Sequence, residues 1–174
     1  MEATAATSTK TAASNPSTTT EPLRDDELLI VRTFDAPLAL VFHVWRQPEH
    51  VRQWLAPMDF QCVSLAWDFR PGGAWRACIK SPDSEHWMSG HFIEIDAEER
   101  IVFTFKWDPD GSPDTDSAEN RITITFEEEG GSTVQRFHQA PFATVARRDS
   151  HTKGWTSVVE RTHSYVERLA REAS

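Results

Sequence analysis

Much of the chain alternates between apolar and polar positions. Leu28, Ile30, Arg32 and Phe34 alternate with Leu29, Val31 and Thr33, a two-residue period that predicts a first strand. The same period returns most cleanly in Ile101, Phe103, Phe105 and Trp107, and again in Ile122, Ile124 and Phe126. Residues 60–69, the run Trp75, Ala77 and Ile79, residues 86–95 and residues 133–139 read as further strands. Between them stand turn signals. Arg70-Pro71-Gly72-Gly73 is the strongest, because proline presets φ at the second position and glycine supplies positive φ at the third.

Two stretches have a helical period instead. After the first strand, Asp35 is placed to cap a helix and Pro37 to sit in its opening turn. Leu40, Val41, Val44 and Trp45 mark one face of that helix, and Pro48 opens a second over residues 49–55, carrying Val51, Trp54 and Leu55. Near the end, Trp155, Val159, Thr162, Val166 and Leu169 recur three or four residues apart, which predicts a long amphipathic helix over 151–169. Asp149 with Lys153 and Glu167 with Arg171 have the spacing of ion pairs on its solvent face. Gly154 costs about 1 kcal/mol relative to alanine inside a helix. Close approach of a neighbouring strand or side chain is the expected reason. A run of strands closed by one long helix is an α+β pattern: an antiparallel sheet packed on that helix. What the two enclose decides the function.

Composition narrows the classes. A length of 174 residues suits one domain with a real core. Residues 1–22 are mostly Ala, Thr and Ser without apolar periodicity, so residues 1–24 are assigned as a disordered tail and 25–174 as the domain. The tail has neither the apolar core of a signal peptide nor the arginines of a transit peptide. A net charge of -9 argues against nucleic acid or an anionic membrane as partner. No apolar run is long enough to span a membrane. The two cysteines, Cys62 and Cys78, read as separate buried thiols, which fits a cytoplasmic location. Seven tryptophans and ten phenylalanines against one tyrosine supply large aromatic surfaces with few hydroxyls. They suit a packed core or an apolar cavity.

Candidate chemistry is sparse. Asp108, Asp110, Ser112, Asp114, Asp116 and Glu119 have the spacing of a calcium loop, but Pro113 stands where that loop needs glycine and strands flank it, so a solvated hairpin loop is the better reading. The histidines do not pair at metal-ligand spacing on a helix, although His91 and His138 on strands could meet across the sheet. No metal or cofactor is assigned. The chain has no Gly-x-Ser-x-Gly, phosphate loop or dinucleotide fingerprint. Asp68, Arg70 and Glu94 could serve acid–base chemistry, but Asp68 and Arg70 flank a tight turn and more simply pair to hold it. No catalytic residue is assigned.

Several local patterns carry a resemblance. Arg32-Thr33-Phe34-Asp35-Ala36-Pro37 with Val41-Phe42 and Trp45 comes first, then Pro48 to Trp54. Asp68-Phe69-Arg70-Pro71-Gly72-Gly73-Ala74-Trp75 follows, then Gly90 to Ile95, Arg100 to Phe105, and Gly154-Trp155. Together, over about residues 27–170, they resemble the START-like (SRPBCC) superfamily, and within it the family of the C-terminal domain of the activator of heat-shock protein 90 ATPase.

The resemblance implies a helix-grip fold: a seven-stranded antiparallel sheet wrapped around the long C-terminal helix, with two short helices after strand one near the mouth of an internal cavity. Trp54, Trp75, Phe92, Phe103, Phe105, Gln135, Phe137, Trp155, Val159 and Thr162 are the candidate cavity residues. Gln135, Gln139 and Thr162 replace the apolar or histidine residues usual in the family. Facing inward, they need partners, which a ligand or water could supply. A register shifted by one residue would point Val134, Arg136 and His138 inward instead. The implied function is binding of a hydrophobic, partly polar small molecule, which a bulky residue at Val159 would block. The alternatives are a co-chaperone-like module that meets heat-shock protein 90 in the stress response, and a cyclase- or hydrolase-type enzyme using the same cavity. A dedicated activator carries a further N-terminal domain, and residues 1–22 are too few for one. Monomer and homodimer both fit.

Overall fold

The computed structural model describes residues 23–109 and 118–174. Strand β1 (Leu28–Phe34) leads into helices α1 (Leu38–Arg46) and α2 (Pro48–Trp54). Six strands follow: β2 (Gln61–Trp67), β3 (Ala74–Lys80), β4 (Glu85–Asp96), β5 (Arg100–Trp107), β6 (Asn120–Glu129) and β7 (Ser132–Ala140). Helix α3 (Val145–Glu172) closes the chain. The strands form one seven-stranded antiparallel sheet in the order β1-β7-β6-β5-β4-β3-β2, with α3 against its inner face. The tail, through residue 22, and most of the acidic loop lie outside the described residues.

Local chemistry accounts for the connections. Gly72 takes φ +80 and the Gly73 N–H donates to the Arg70 carbonyl at 2.8 Å, so the proline–glycine turn forms as its residues require. The helix entry differs from expectation. Pro37, not Asp35, is the N-cap of α1, and no side chain caps it. The Thr133 hydroxyl donates to the Ala36 carbonyl at 2.8 Å, which ties the entry to β7 and leaves Asp35 exposed.

Helix α3 begins earlier than the apolar stripe implied. The Thr144 hydroxyl accepts the Arg147 N–H, and the first turns from Val145 to Ser150 carry no buried residue, so periodicity could not mark them. The expected ion pairs also differ: Asp149 pairs with Arg148 at 2.9 Å, and Glu167 lies 3.0 Å from Nε2 of His163.

The register of β7 places Gln135, Phe137 and Gln139 inward, opposite Phe126, Ile124 and Ile122 of β6. The shifted register is not adopted, because it would put the inward residues of β6 opposite Arg136 and His138. Cys62 and Cys78 are both free thiols, and Ser64 faces Cys78 across the β2–β3 pair. His91 and His138 do not meet, because β5 and β6 lie between their strands. His91 sits by Thr104 and His138 by Glu27.

Candidate functional site

Helix α3 lies close against β1, α1 and α2, and stands off from β3, β4 and β5. The gap is a pocket of about 350 Å³. The inner face of the sheet supplies Ile79, Met88, Phe105 and Trp107; the helix supplies His151, Gly154, Trp155 and Val158; and Leu55, Ala56 and Pro57 form a lip. Phe105 meets Trp107 at 5.2 Å and Trp155 at 5.8 Å between ring centres, so the interior wall is a continuous aromatic surface.

Polar groups gather at the rim: His86, Asp108, Arg147 and Ser150. Asp108 follows Trp107 in the strand alternation, so its side chain turns to the outer face of the sheet. There it accepts from the Ser89 hydroxyl at 2.6 Å and from Arg76 at 3.0 Å. Burial alone would raise its carboxyl, but these hydrogen bonds and the nearby cation hold it below the ordinary carboxylate value. Trp87 also reaches the rim from the outer face, where the Arg76 guanidinium stacks over it at 4.0 Å.

His151 stands between the pocket and a buried polar chain. Its Nε2 accepts the Trp107 indole N–H at 3.1 Å, and its Nδ1 lies 3.4 Å from Oε1 of Gln139. Gln139 in turn donates to Asn120 Oδ1 at 2.8 Å. An indole N–H only donates, so in this geometry His151 is neutral with its proton on Nδ1.

Two of the candidate cavity residues, Phe105 and Trp155, line this pocket. The others lie elsewhere. Trp54, Trp75, Phe92 and Phe103 belong to an aromatic cluster with Trp45 and Trp67; Trp75 and Phe92 each lie 5.8 Å from Phe103. Trp54 donates to the Val44 carbonyl at 3.0 Å, and Trp75 to that of Thr104 at 3.0 Å. Gln135 accepts the Trp45 indole N–H at 2.9 Å, and Phe137 packs on Trp155 at 4.7 Å. Val159 is buried in the core, and the Thr162 hydroxyl donates to the Val158 carbonyl at 2.8 Å. Gln135, Gln139 and Thr162 therefore find protein partners.

Sequence reasoning left out His86, Met88, Trp107, His151 and Val158. Trp107 continues the phase of Phe105, and Met88 faces Trp107 across β4 and β5, so strand alternation with the correct register would have found both. Gly154 was expected to make room for a neighbour. A Cβ built there meets nothing within 4 Å; the glycine opens onto the pocket. Asp68 pairs with Arg70 at 2.9 Å, and Glu94 lies 3.6 Å from Arg100; all four are exposed, away from the pocket. Among the described residues, no group of histidine, cysteine and carboxylate side chains has the arrangement of a metal site.

A sheet gripping a long C-terminal helix, a helix pair after the first strand and a pocket between them define a START-like helix-grip domain. The family described as Activator of Hsp90 ATPase homolog 1-like protein matches residues 35–167, and the chain belongs to it.

Solved structures share the fold. A protein from Chromobacterium violaceum aligns with TM-score 0.73 at 22% identity, over 83% of this chain and 99% of its own. The AHSA1 protein from Silicibacter pomeroyi aligns with TM-score 0.72 at 20% identity, over 84% and 99%. A putative uncharacterized protein from Rhizobium leguminosarum aligns with TM-score 0.68 at 28% identity, over 82% and 94%. No curated protein matches the chain by sequence. No helix among the described residues is long and apolar enough to cross a membrane.

Proposed function

We propose that this protein binds a small, largely apolar molecule in the pocket between α3 and strands β3–β5. The observation that carries the reading is the pocket: about 350 Å³, with an aromatic interior and a few polar groups at its rim. That is the usual composition of a small-molecule site, at the small end of the range of about 300–1,000 Å³. The aromatic cluster around Phe103 does not compete for this role: its rings are buried, pack on one another and do not line the pocket.

The test is native mass spectrometry of the protein purified from its host, beside a Ser150→Trp variant. Ser150 is exposed at the rim, so the substitution plugs the mouth without entering the core. A molecule carried by the wild type and lost from the variant supports the reading. If neither carries one, and apolar probes bind both alike, the reading is wrong.

A second reading comes from the family description, which names an activator of the Hsp90 ATPase. It requires a docking surface rather than a pocket. A tagged chain that retains Hsp90 equally well with and without the Ser150→Trp substitution would favour it.

A further inference from the structure

We propose that Gly154 sets the shape of what the pocket accepts: a flat, uncharged, mostly apolar ring system lying against the bare backbone of α3. This rests on the ligand reading above and goes on to the class of ligand.

Glycine is the least favourable helix residue after proline, and Gly154 sits well inside the 28-residue helix Val145–Glu172. The ordinary reasons for a glycine do not apply. Its φ is not in the left-handed region that favours glycine, and a Cβ built on it meets nothing within 4 Å. Gly90 shows the contrast: there a Cβ would stand 1.9 Å from the Thr104 carbonyl oxygen and 2.6 Å from Trp75 Nε1. At Gly154 the space above the backbone is the pocket itself. The residue is therefore accounted for by an occupant that approaches the helix more closely than a methyl group would allow.

The chemistry of the walls names the occupant. Phe105 and Trp107 face the helix from the sheet, and Trp155 adjoins Gly154. The Trp107 N–H is engaged by His151, and both oxygens of Asp108 are engaged by Ser89 and Arg76. A molecule seated between Gly154 and the sheet thus meets ring faces and backbone, with His86, Arg147 and Ser150 at the rim. Burying a charge there would be costly, while a ring stacked on rings is favoured.

The experiment uses the full chain and the neutral naphthalene fluorophore prodan, with 2-naphthol as a flat competitor and 1-adamantanol as a globular one. Gly154→Ala should raise the melting midpoint by about 2–4 °C, because it removes a helix penalty without a clash. It should also weaken prodan binding at least about tenfold, the effect of overfilling a fitted site. 2-Naphthol should displace prodan from the wild type, and 1-adamantanol should not.

A raised midpoint with unchanged prodan affinity would overturn the role of Gly154. Displacement by 1-adamantanol as readily as by 2-naphthol would overturn the flat-ring class. In both of those cases Ser150→Trp would still abolish binding, and the pocket reading would stand. If prodan fails to bind the wild type, or binds Ser150→Trp equally well, the pocket reading falls and this inference falls with it.

Discussion

The indole N–H of Trp107 donates to Nε2 of His151 at 3.1 Å, joining β5 to α3 across the edge of the pocket. This one contact fixes the imidazole tautomer. With Nε2 accepting, Nδ1 carries the proton and faces Gln139. Side-chain carbon and nitrogen chemical shifts of His151 should report the Nδ1–H form; the Nε2–H form would contradict the geometry. His151→Phe keeps a ring among Phe105, Trp107 and Phe142 but leaves Trp107 without its acceptor. It should destabilise the fold by about 1–2 kcal/mol, read from denaturant midpoints.

Gly90 and Gly154 should respond to alanine in opposite ways. Gly90 faces Trp75 across the β3–β4 pair, and the Trp75 indole donates to the Thr104 carbonyl directly over it. A methyl group there collides with backbone that cannot yield, so Gly90→Ala should cost at least about 3 kcal/mol in urea unfolding. Gly154→Ala should instead stabilise by up to about 1 kcal/mol. Equal effects at the two positions would contradict the packing described.

The buried glutamines lend themselves to a double-mutant cycle. Gln135→Leu strands the Trp45 N–H and should cost about 1–3 kcal/mol. Adding Trp45→Phe removes the stranded donor, so the pair should cost less than the sum of the two single changes. Strict additivity in thermal or chemical unfolding would mean that the hydrogen bond is not formed.

Asp108 links stability to pH. Its carboxyl is held below the ordinary value in the folded protein, so it contributes stability above the unfolded value and loses it as pH falls through the folded one. The loss belongs below about pH 4. Asp108→Asn should lower stability at neutral pH and flatten this acid limb; an unchanged limb in pH-dependent denaturation would count against the bonds to Ser89 and Arg76.

Arg161 clamps the lip of the pocket. Its Nη1 donates to the carbonyls of Ala56 at 3.0 Å and Phe60 at 2.8 Å, and the Met58 N–H donates to Ser157 at 2.7 Å. Arg161→Met keeps the aliphatic stem and removes the donors. Amide hydrogen exchange should quicken over residues 55–60 and stay unchanged in β5 and β6.

The strands were legible because alternation is a property of neighbouring residues. Ile101, Phe103, Phe105 and Trp107 announce which face of β5 is buried before any partner is known. The Arg70–Gly73 turn was legible for the same reason: proline and glycine act on their own φ. The start of α3 was not, because its opening turns are held by a threonine cap and carry no apolar stripe. The pocket was legible only in part. Phe105 and Trp155 could be placed on inward faces, but so could Trp54, Trp75, Phe92 and Phe103, and an inward face does not say whether the space beyond it is filled.

Sequence by itself determined the α+β plan, the order of its elements and the inward identity of most large residues, since all of these follow from local period and local turn chemistry. Tertiary structure decided where packing stops. The cluster around Phe103 is buried and packed ring on ring, while α3 leans toward β1 and away from β3–β5 and leaves Phe105, Trp107, Trp155 and Gly154 around open space. That tilt is set by every contact along a helix at once, and no window of residues contains it. It is also why a glycine that read as room for a neighbour stands at the wall of a pocket.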